Sequence, residues 1–324
     1  MKRNIDILLF LLILLAGGRM YALELPVDAH MVVAADGSGE YSSIGEALEA
    51  CLVLQDTATV IYIKNGIYRE KIHIDSFLTH IRLVGESAEK TIISWGDYAK
   101  LNNMGTFRTY TMKITGNDVS LENLTVENTA GFDAGQAVAL HVEGDRFKAV
   151  NCRIIGNQDT LYATGDYSRQ YYRDCLIEGT TDFIFGSATA IFDYCTIYSK
   201  KNSYITAART PKEHSYGYVF RYCELTASKD ADRVFLGRPW RDFAKVVYLY
   251  CQMGDHIVGE GWHNWSKPER EKTAYYAEYK CTGPGSVTSQ RVAWSHQLTK
   301  EEASTYTNEH IFRSCSSWEV NIPL

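Results

Sequence analysis

The hydrophobic positions of the chain predict many short β-strands separated by turns. Residues 31–34 and 60–63 are short apolar runs, and residues 66–74 and 81–85 continue with an alternation of apolar and polar side chains. Glycine, asparagine or aspartate stands between most of these runs. Such a pattern is typical of an all-β protein.

From residue 119 onward one sequence signature recurs at intervals of 28, 23, 20, 28 and 28 residues. Each copy has an apolar residue two positions after its marker and another apolar residue three positions before it. A constant core signature with variable spacing is expected when strands repeat and loops change in length. The markers are Leu124, Cys152, Cys175, Cys195, Cys223 and Cys251.

The repeat favours successive coils of a parallel β-helix over alternating strands and helices. No segment of helical length with a 3.6-residue period separates the strands. A capping box at residues 43–46 predicts a short helix to about Cys51, and a second at residues 299–302 predicts one to about Tyr306. Short terminal helices suit a solenoid because they cover exposed strand edges.

Five of the eight cysteines occupy the repeated marker position. We therefore expect a ladder of buried, mostly reduced thiols, since free cysteine packs as a small hydrophobe and stacked side chains point the same way. Disulfide bonds are the alternative in an exported chain. Cys51, Cys281 and Cys315 are left without an assignment. The sequence has no Cys-x-x-Cys motif and no paired histidine motif, so we expect no metal and no cofactor.

The N-terminal residues predict an export signal. Lys2 and Arg3 precede an apolar run at residues 7–15, which is too short to span a bilayer. We predict a signal peptide over residues 1–22, one catalytic domain over residues 23–324, and a periplasmic, cell-surface or secreted protein; the alternative is a ragged N-terminal segment. The formal charge of -6 argues against nucleic-acid and membrane partners, and we expect a monomer.

Two aspartates stand at the same offset in consecutive copies of the repeat. Asp159 and Asp182 each follow a marker cysteine by seven residues, so stacked coils would separate them by roughly 4.8 Å. Two carboxyl groups that close do not both ionise freely at neutral pH. Arg238, between glycine and proline, offers a guanidinium that could keep one of them ionised. The same residues could instead form a structural salt bridge between two coils.

Glutamine amides are a third ingredient of the predicted site. Gln158 directly precedes Asp159, and Gln136 begins an apolar segment, although the repeat does not place Gln136 beside the aspartates. Their side-chain amides could donate hydrogen bonds to an oxyanion. Taken alone, a glutamine in such a position is more often an ordinary turn or coil-stacking residue.

Five motifs in this order resemble those of the pectin methylesterases. They are Gly-x-Tyr-x-Glu at 66–70, Gln-Ala-Val-Ala-Leu at 136–140, Gln-Asp-Thr-Leu at 158–161, Asp-Phe-Ile-Phe-Gly at 182–186 and Leu-Gly-Arg-Pro-Trp at 236–240. The resemblance covers residues 31–306 and implies a right-handed parallel β-helix that hydrolyses the C6 methyl esters of pectin. No inhibitor-like segment precedes Met31, so we expect the short form of leader plus catalytic region.

The resemblance also implies a role for individual residues. It makes Asp182 the nucleophile, Asp159 the general acid and base, Arg238 the residue that holds Asp182 ionised, and Gln136 and Gln158 the oxyanion donors. The positions that it places along the sugar cleft are Tyr162, Phe185, Trp240 and Thr106. Thr181 stands where most relatives have an aliphatic residue. This difference would affect the preference of one sugar subsite and not the chemistry. The implied partner is methyl-esterified homogalacturonan.

Two other functions fit parts of the pattern. A glycoside hydrolase on the same solenoid would also use two carboxylates about 5 Å apart, but it has no carbonyl oxyanion for glutamines to bind. A non-catalytic polysaccharide-binding solenoid would use the aromatic residues alone. Release of methanol, of new reducing ends, or of neither from methylated pectin separates the three.

Overall fold

The structure is a computed structural model that describes residues 28–312 together with residues 318 and 320. The predicted signal peptide over residues 1–22 lies outside these residues, as does Cys315. Among the described helices, none is both long and apolar enough to cross a bilayer.

The described strands form three sheets in which all neighbouring strands run parallel. The first sheet contains Met31–Val33, Thr59–Ile63, Ile81–Gly85, Ser120–Glu122, Phe147–Val150, Arg169–Arg173, Thr189–Asp193, Tyr218–Arg221, Lys245–Leu249, Tyr275–Tyr279 and His296–Gln297. The second contains Gly66–Tyr68, Thr91–Trp95, Thr125–Asn128, Arg153–Ile155, Leu176–Gly179, Thr196–Ser199, Glu224–Ala227 and Gln252–Met253. The third contains Ile72–Ile74, Met112–Ile114, Leu140–Val142, Leu161–Ala163, Ile184–Gly186, Tyr204–Ala208 and Phe235–Gly237.

From Thr59–Ile63 to Gln252–Met253, successive strands belong to the first, second and third sheet in turn, which confirms the predicted right-handed parallel β-helix. The predicted strand region 66–74 divides into Gly66–Tyr68 and Ile72–Ile74, which belong to different sheets. Glu70 lies at the corner between them, and its carboxylate accepts the backbone N–H groups of Ile44 and Gly45 at 3.0 and 2.8 Å. The glutamate of the first motif therefore ties the N-terminal helix to the solenoid.

The repeated marker residues stack along the interior of the solenoid. Arg153 pairs with both Thr125 and Leu176, which places Cys152 between Leu124 and Cys175. The five marker cysteines are all buried. The isolated bridge between residues 252 and 282 extends the ladder by one further rung, to Cys281, which the sequence left unassigned. The aromatic positions three residues earlier stack as well, at centroid distances of 4.8, 4.5 and 4.5 Å along Tyr172, Phe192, Phe220 and Tyr248.

The residue before each marker has a left-handed backbone conformation. This conformation turns the chain from the first sheet into the second, and asparagine and aspartate adopt it more readily than most side chains. Three tyrosines also adopt it, and their exposed rings stack at 5.1 Å from one coil to the next. These residues are Asn123, Asn151, Asp174, Tyr194, Tyr222, Tyr250 and Lys280.

Short helices lie at both ends of the described solenoid. The first α-helix, Ile44–Glu49, begins with the predicted capping box of Ser43 and Glu46. The second capping box is also present, but its helix is only Lys300–Ala303, and a separate helix, Asn308–Ile311, follows. The prediction of one helix to about Tyr306 was therefore wrong. The short 3-10 helices are Leu101–Asn103, Thr106–Arg108, Pro268–Lys272, Pro284–Ser286 and Thr288–Gln290.

Candidate active site

The two aspartates singled out by the repeat lie on adjacent coils. Tyr162 pairs with Phe185 in the third sheet, and each aspartate precedes its strand residue by three positions. One rung of a parallel sheet therefore separates Asp159 from Asp182, roughly 4.8 Å. The backbone N–H of Asp159 donates to the carbonyl of Thr181 at 3.0 Å, which fixes the two coils against each other at this point.

Both aspartates have a left-handed backbone conformation, with φ of 64° at Asp159 and 49° at Asp182. Non-glycine residues in this region are uncommon and cluster at functional sites. Both side chains border the same cavity, although each residue is at most 8% exposed. The site thus holds two nearly desolvated carboxyl groups side by side.

Arg238 binds one aspartate through two parallel hydrogen bonds. Its Nε donates to Oδ1 of Asp182 at 2.9 Å, and its Nη2 donates to Oδ2 at 2.7 Å. This bidentate arrangement is the strongest that a guanidinium makes with a carboxylate. Gly237, the last strand residue before Arg238, permits close approach to the neighbouring strand, because a Cβ atom there would lie 2.0 Å from Oγ1 of Thr206.

The two carboxyl groups differ in proton affinity. Burial raises the pKa of Asp159 well above its ordinary value, and the charge of Asp182 raises it further against the opposing effect of Arg238. Burial also raises the pKa of Asp182, but there the hydrogen bond and the charge of Arg238 offset part of the rise, so this pKa stays above its ordinary value by less than that of Asp159. Asp159 is therefore the carboxyl group that keeps a proton, and Asp182 is the one that ionises first.

The two glutamines stand on neighbouring coils beside the aspartates. Gln136 and Gln158 form an isolated parallel bridge, and both line the same cavity. Gln158 follows Cys152 by six residues, whereas Gln136 follows Leu124 by twelve. The additional loop residues in the earlier coil explain why the repeat did not place Gln136.

The cavity above these residues has a volume of about 220 Å³. The predicted cleft residues Thr106, Phe185 and Trp240 line it, whereas Tyr162 lies next to it and stacks on Phe185 at 4.4 Å. The hydroxyl of Thr181 is 2.7 Å from that of Ser203 on the next coil. Three further lining residues were not predicted as site residues: Phe107, Ala207 and Trp265.

The sequence held only a weak signal for these three residues. Phe107 directly follows the predicted Thr106, and Ala207 lies in register with Phe185 on the next strand. Trp265 belongs to a connection outside the repeated strands, so no fixed offset points to it. Within the described residues, no group of three or more histidine, cysteine, aspartate or glutamate side chains is arranged to hold a metal ion.

Comparisons with known proteins match the chain to pectinesterases. The family model described as Pectinesterase matches residues 30–314. "Pectinesterase 31" of Arabidopsis thaliana is 39% identical over 286 residues, which cover 85% of this chain and 90% of that protein. "Probable pectinesterase/pectinesterase inhibitor 23" of the same plant is 38% identical over 302 residues, which cover 89% of this chain and 53% of that protein. The chain spans about half the length of such relatives, whose names combine an esterase and an inhibitor.

Solved structures show the same likeness. A pectin methylesterase from carrot has a TM-score of 0.85 and 32% identity, and the match covers 89% of this chain and 94% of that one. Pectin methylesterase PemA from Erwinia chrysanthemi has a TM-score of 0.79 and 28% identity, with 92% of this chain and 100% of that chain covered. A pectin methylesterase in complex with a hexasaccharide has a TM-score of 0.78, 28% identity and the same coverage.

The fold, the paired carboxyl groups and these likenesses define the class of the protein, which is a carboxylic ester hydrolase built on a parallel β-helix. Within this class the chain belongs to the pectinesterase family.

Proposed function

We propose that this chain hydrolyses the C6 methyl esters of homogalacturonan to give pectate and methanol. The observation that supports this most directly is the asymmetry of the aspartate pair, in which only Asp182 is bound bidentately by Arg238. An ionised carboxylate beside a protonated carboxyl group supplies a nucleophile and an acid for one ester. Family membership and the match to a pectin methylesterase with a bound hexasaccharide support the choice of substrate.

In the first half-reaction, a carboxylate oxygen of Asp182 attacks the C6 carbonyl carbon of a methylated galacturonate. The carbonyl oxygen becomes an oxyanion, which the side-chain N–H groups of Gln136 and Gln158 stabilise. Donors of this kind each lower the barrier by roughly 3 kcal/mol. Collapse of the tetrahedral intermediate breaks the bond to the methoxy oxygen, Asp159 gives that oxygen its proton, and methanol leaves. The sugar is then joined to Asp182 as an anhydride.

In the second half-reaction, Asp159 is a carboxylate and accepts a proton from a water molecule that enters where methanol left. The hydroxide attacks the C6 carbonyl carbon, and the same two glutamines hold the new oxyanion. Cleavage of the anhydride restores the carboxylate of Asp182 and leaves a C6 carboxylic acid on the polymer, which loses its proton to solvent and becomes galacturonate. Asp159 again carries a proton, so the pair returns to its starting state.

The cleft residues are proposed to hold the polymer around this ester. Phe107, Phe185, Trp240 and Trp265 present aromatic surface to the cavity, and Thr106 also lines it. We also propose that residues 1–22 direct export and are then removed, and that the mature chain acts as a monomer. N-terminal sequencing and the molecular mass of the secreted protein in solution test these two points.

The decisive measurement is methanol release from methylated polygalacturonate, with the length of the polymer followed in parallel. The proposal requires methanol without shortening of the chains. New reducing ends would instead show a glycoside hydrolase, and binding to pectin with no released product would show a non-catalytic solenoid.

A further inference from the structure

The guanidinium of Arg238 lies between two aromatic rings. Its Cζ is 3.9 Å from the ring centroid of Tyr204 on one side and 3.7 Å from that of Trp265 on the other. Its hydrogen bonds to Asp182 lie at the edge of the guanidinium, so the rings cover the faces that these bonds leave free. A cation stacked in this way is attracted to both rings, and the attraction is stronger where water is excluded.

The two rings differ in their relation to the rest of the site. Trp265 lines the cavity, where it can touch a substrate, whereas Tyr204 is not among the lining residues. Tyr204 contacts the nucleophile instead: its backbone carbonyl accepts the N–H of Asp182 at 2.8 Å. Tyr204 therefore accepts a hydrogen bond from the main chain of Asp182. Its ring also stacks on Arg238, which binds the carboxylate of Asp182.

The ring of Tyr204 is itself held in place by its neighbours. Phe235 pairs with Tyr204 in the next coil, and their rings stack at 5.3 Å. The ring of His263 packs against it at 5.4 Å, and Nδ1 of His263 accepts the backbone N–H of Trp265 at 2.9 Å. The face on which Arg238 rests is therefore fixed by the third sheet and by the connection that carries Trp265.

We propose that Tyr204 is a positioning residue that keeps the guanidinium of Arg238 in the plane of the Asp182 carboxylate. This inference rests on the proposed function and names a residue that the repeat and the five motifs do not include. Without the ring, Arg238 can rotate about its own side-chain bonds and lose one of its two hydrogen bonds. Asp182 would then remain buried with less compensation, and its ionised form would become harder to reach.

The test compares Tyr204→Leu with Tyr204→Phe, which retains the ring. For Tyr204→Leu we expect kcat for methanol release to fall roughly tenfold, with KM for methylated pectin close to the wild-type value. The acid limb of the pH–kcat profile should move to higher pH, because the pKa of Asp182 rises, and the alkaline limb should stay in place. Tyr204→Phe should keep both the rate and the profile.

Tyr198→Leu is the matched control, because Tyr198 is a half-buried strand tyrosine of the second sheet. It should leave kcat and the pH profile unchanged. A second measurement places Tyr204→Leu on an Arg238→Lys background, where the added loss should be much smaller than in the wild type, since Tyr204 acts through Arg238. This comparison uses ratios of kcat, so it holds even if each variant is less stable.

Three results would overturn the inference: an unshifted acid limb in Tyr204→Leu, an equal loss in Tyr204→Phe, or fully additive effects with Arg238→Lys. If Tyr204→Leu does not fold, Tyr204→Val, which suits a strand, is measured in the same way. Failure of the proposed function is distinguishable, because the wild-type protein itself would then release no methanol.

Discussion

At Asp159 and Asp182 the same side chain meets two different environments. Both carboxyl groups are buried, and burial alone would keep both protonated. Arg238 opposes this effect at Asp182 through two hydrogen bonds, so the pKa of Asp182 is raised less than that of Asp159, and an ionised Asp182 in turn makes ionisation of Asp159 harder. The proposed division of labour between nucleophile and acid therefore follows from the placement of a single guanidinium.

Replacement of the nucleophile tests the central assignment. Asp182→Asn should lower kcat for methanol release by roughly 10⁴-fold or more, because an amide does not form the acyl intermediate. The fold should survive, since asparagine also tolerates the left-handed conformation found at this position. Methanol release and thermal unfolding are measured together, and substantial activity in a folded variant would refute the role of Asp182.

The pH profile should be bell-shaped, with an acid limb from Asp182 and an alkaline limb from Asp159. Activity requires Asp182 ionised, so it falls as the pH drops through the pKa of Asp182. It also requires Asp159 protonated, so it falls as the pH rises through the pKa of Asp159.

Arg238→Lys should lower kcat roughly tenfold to a hundredfold and move the acid limb of the pH profile to higher pH. Measured kcat over the full pH range checks this, and an acid limb unmoved in Arg238→Lys would count against it.

The raised pKa of Asp159 should also lower the free energy of unfolding at neutral pH. The folded-state pKa of Asp159 is raised above its unfolded value, so its contribution to the free energy of unfolding is fully present below the unfolded pKa, about 3.9, and is lost as the pH rises through the folded pKa. Asp159→Asn should therefore stabilise the protein by roughly 1–3 kcal/mol at neutral pH and much less below pH 4. Urea unfolding at the two pH values measures this; an equal effect at both would contradict it.

Much of this site could be predicted from residues at fixed offsets. Asp159 and Asp182 were found because each stands seven residues after a stacked cysteine, and strand spacing then sets their separation. Gln136 was beyond this reasoning because a longer loop precedes it. Trp265 lies on a long connection that folds back over Arg238, and Tyr204 stacks on the same guanidinium. No periodic sequence pattern predicts either contact.

At the scale of elements, the cysteine ladder keeps the coils in register. Each thiol fills the space between the rungs above and below it and also approaches a backbone carbonyl, as when Sγ of Cys223 lies 3.2 Å from the carbonyl oxygen of Phe192. Burial raises the pKa of the Cys223 thiol well above its ordinary value, so this thiol is unreactive at neutral pH.

Removal of one rung should destabilise the solenoid without affecting catalysis. Cys195→Ala, in the middle of the ladder, should lower the free energy of unfolding by roughly 1–3 kcal/mol, because it leaves a gap between two filled rungs. Cys281→Ala is the matched control: Cys281 is only half-buried at the end of the ladder, so its loss should be smaller. Urea unfolding of both variants checks the order, and the reverse order would contradict the packing role.

Helix ends were harder to predict than strands. The capping box at Thr299 starts its helix as expected, but the hydroxyls of Ser304 and Thr305 donate to the carbonyls of Glu301 and Glu302. These side-chain bonds satisfy the last carbonyls and end the helix after one turn. Thr307 then caps a new helix by accepting the N–H of His310, which a search for hydrophobic periodicity does not detect.

At the scale of the molecule, a buried ion pair braces the last coils. Glu278 and Arg291 have side chains that are 1% and 4% exposed and form a bidentate pair at 2.8 and 3.1 Å. Arg291 also donates to the backbone carbonyls of Val258, Gly259 and Gly285, so it joins its own connection to the preceding one at this end of the solenoid.

Removing one partner of this ion pair should destabilise the protein more than replacing both partners with apolar residues. Arg291→Met leaves the charge of Glu278 buried without a partner and should lower the free energy of unfolding by roughly 3–5 kcal/mol. The double variant with Glu278→Leu removes both charges and should recover a large part of that loss. Urea unfolding of the single and double variants measures the difference, and equal losses would show that the bonds of Arg291 to the backbone dominate.

The stacked strands of the solenoid are regular, whereas the connections between them vary in length. This difference affects how such enzymes can diversify. Part of the cavity wall comes from segments outside the stacked strands, such as residues 98–110, 239–244 and 254–265, whereas the aspartates belong to the repeated coils. Selection can therefore lengthen, shorten or exchange these segments while the reactive groups keep their spacing. We expect grafted connections to transfer a preference for one ester pattern from one solenoid to another, with the chemistry inherited intact.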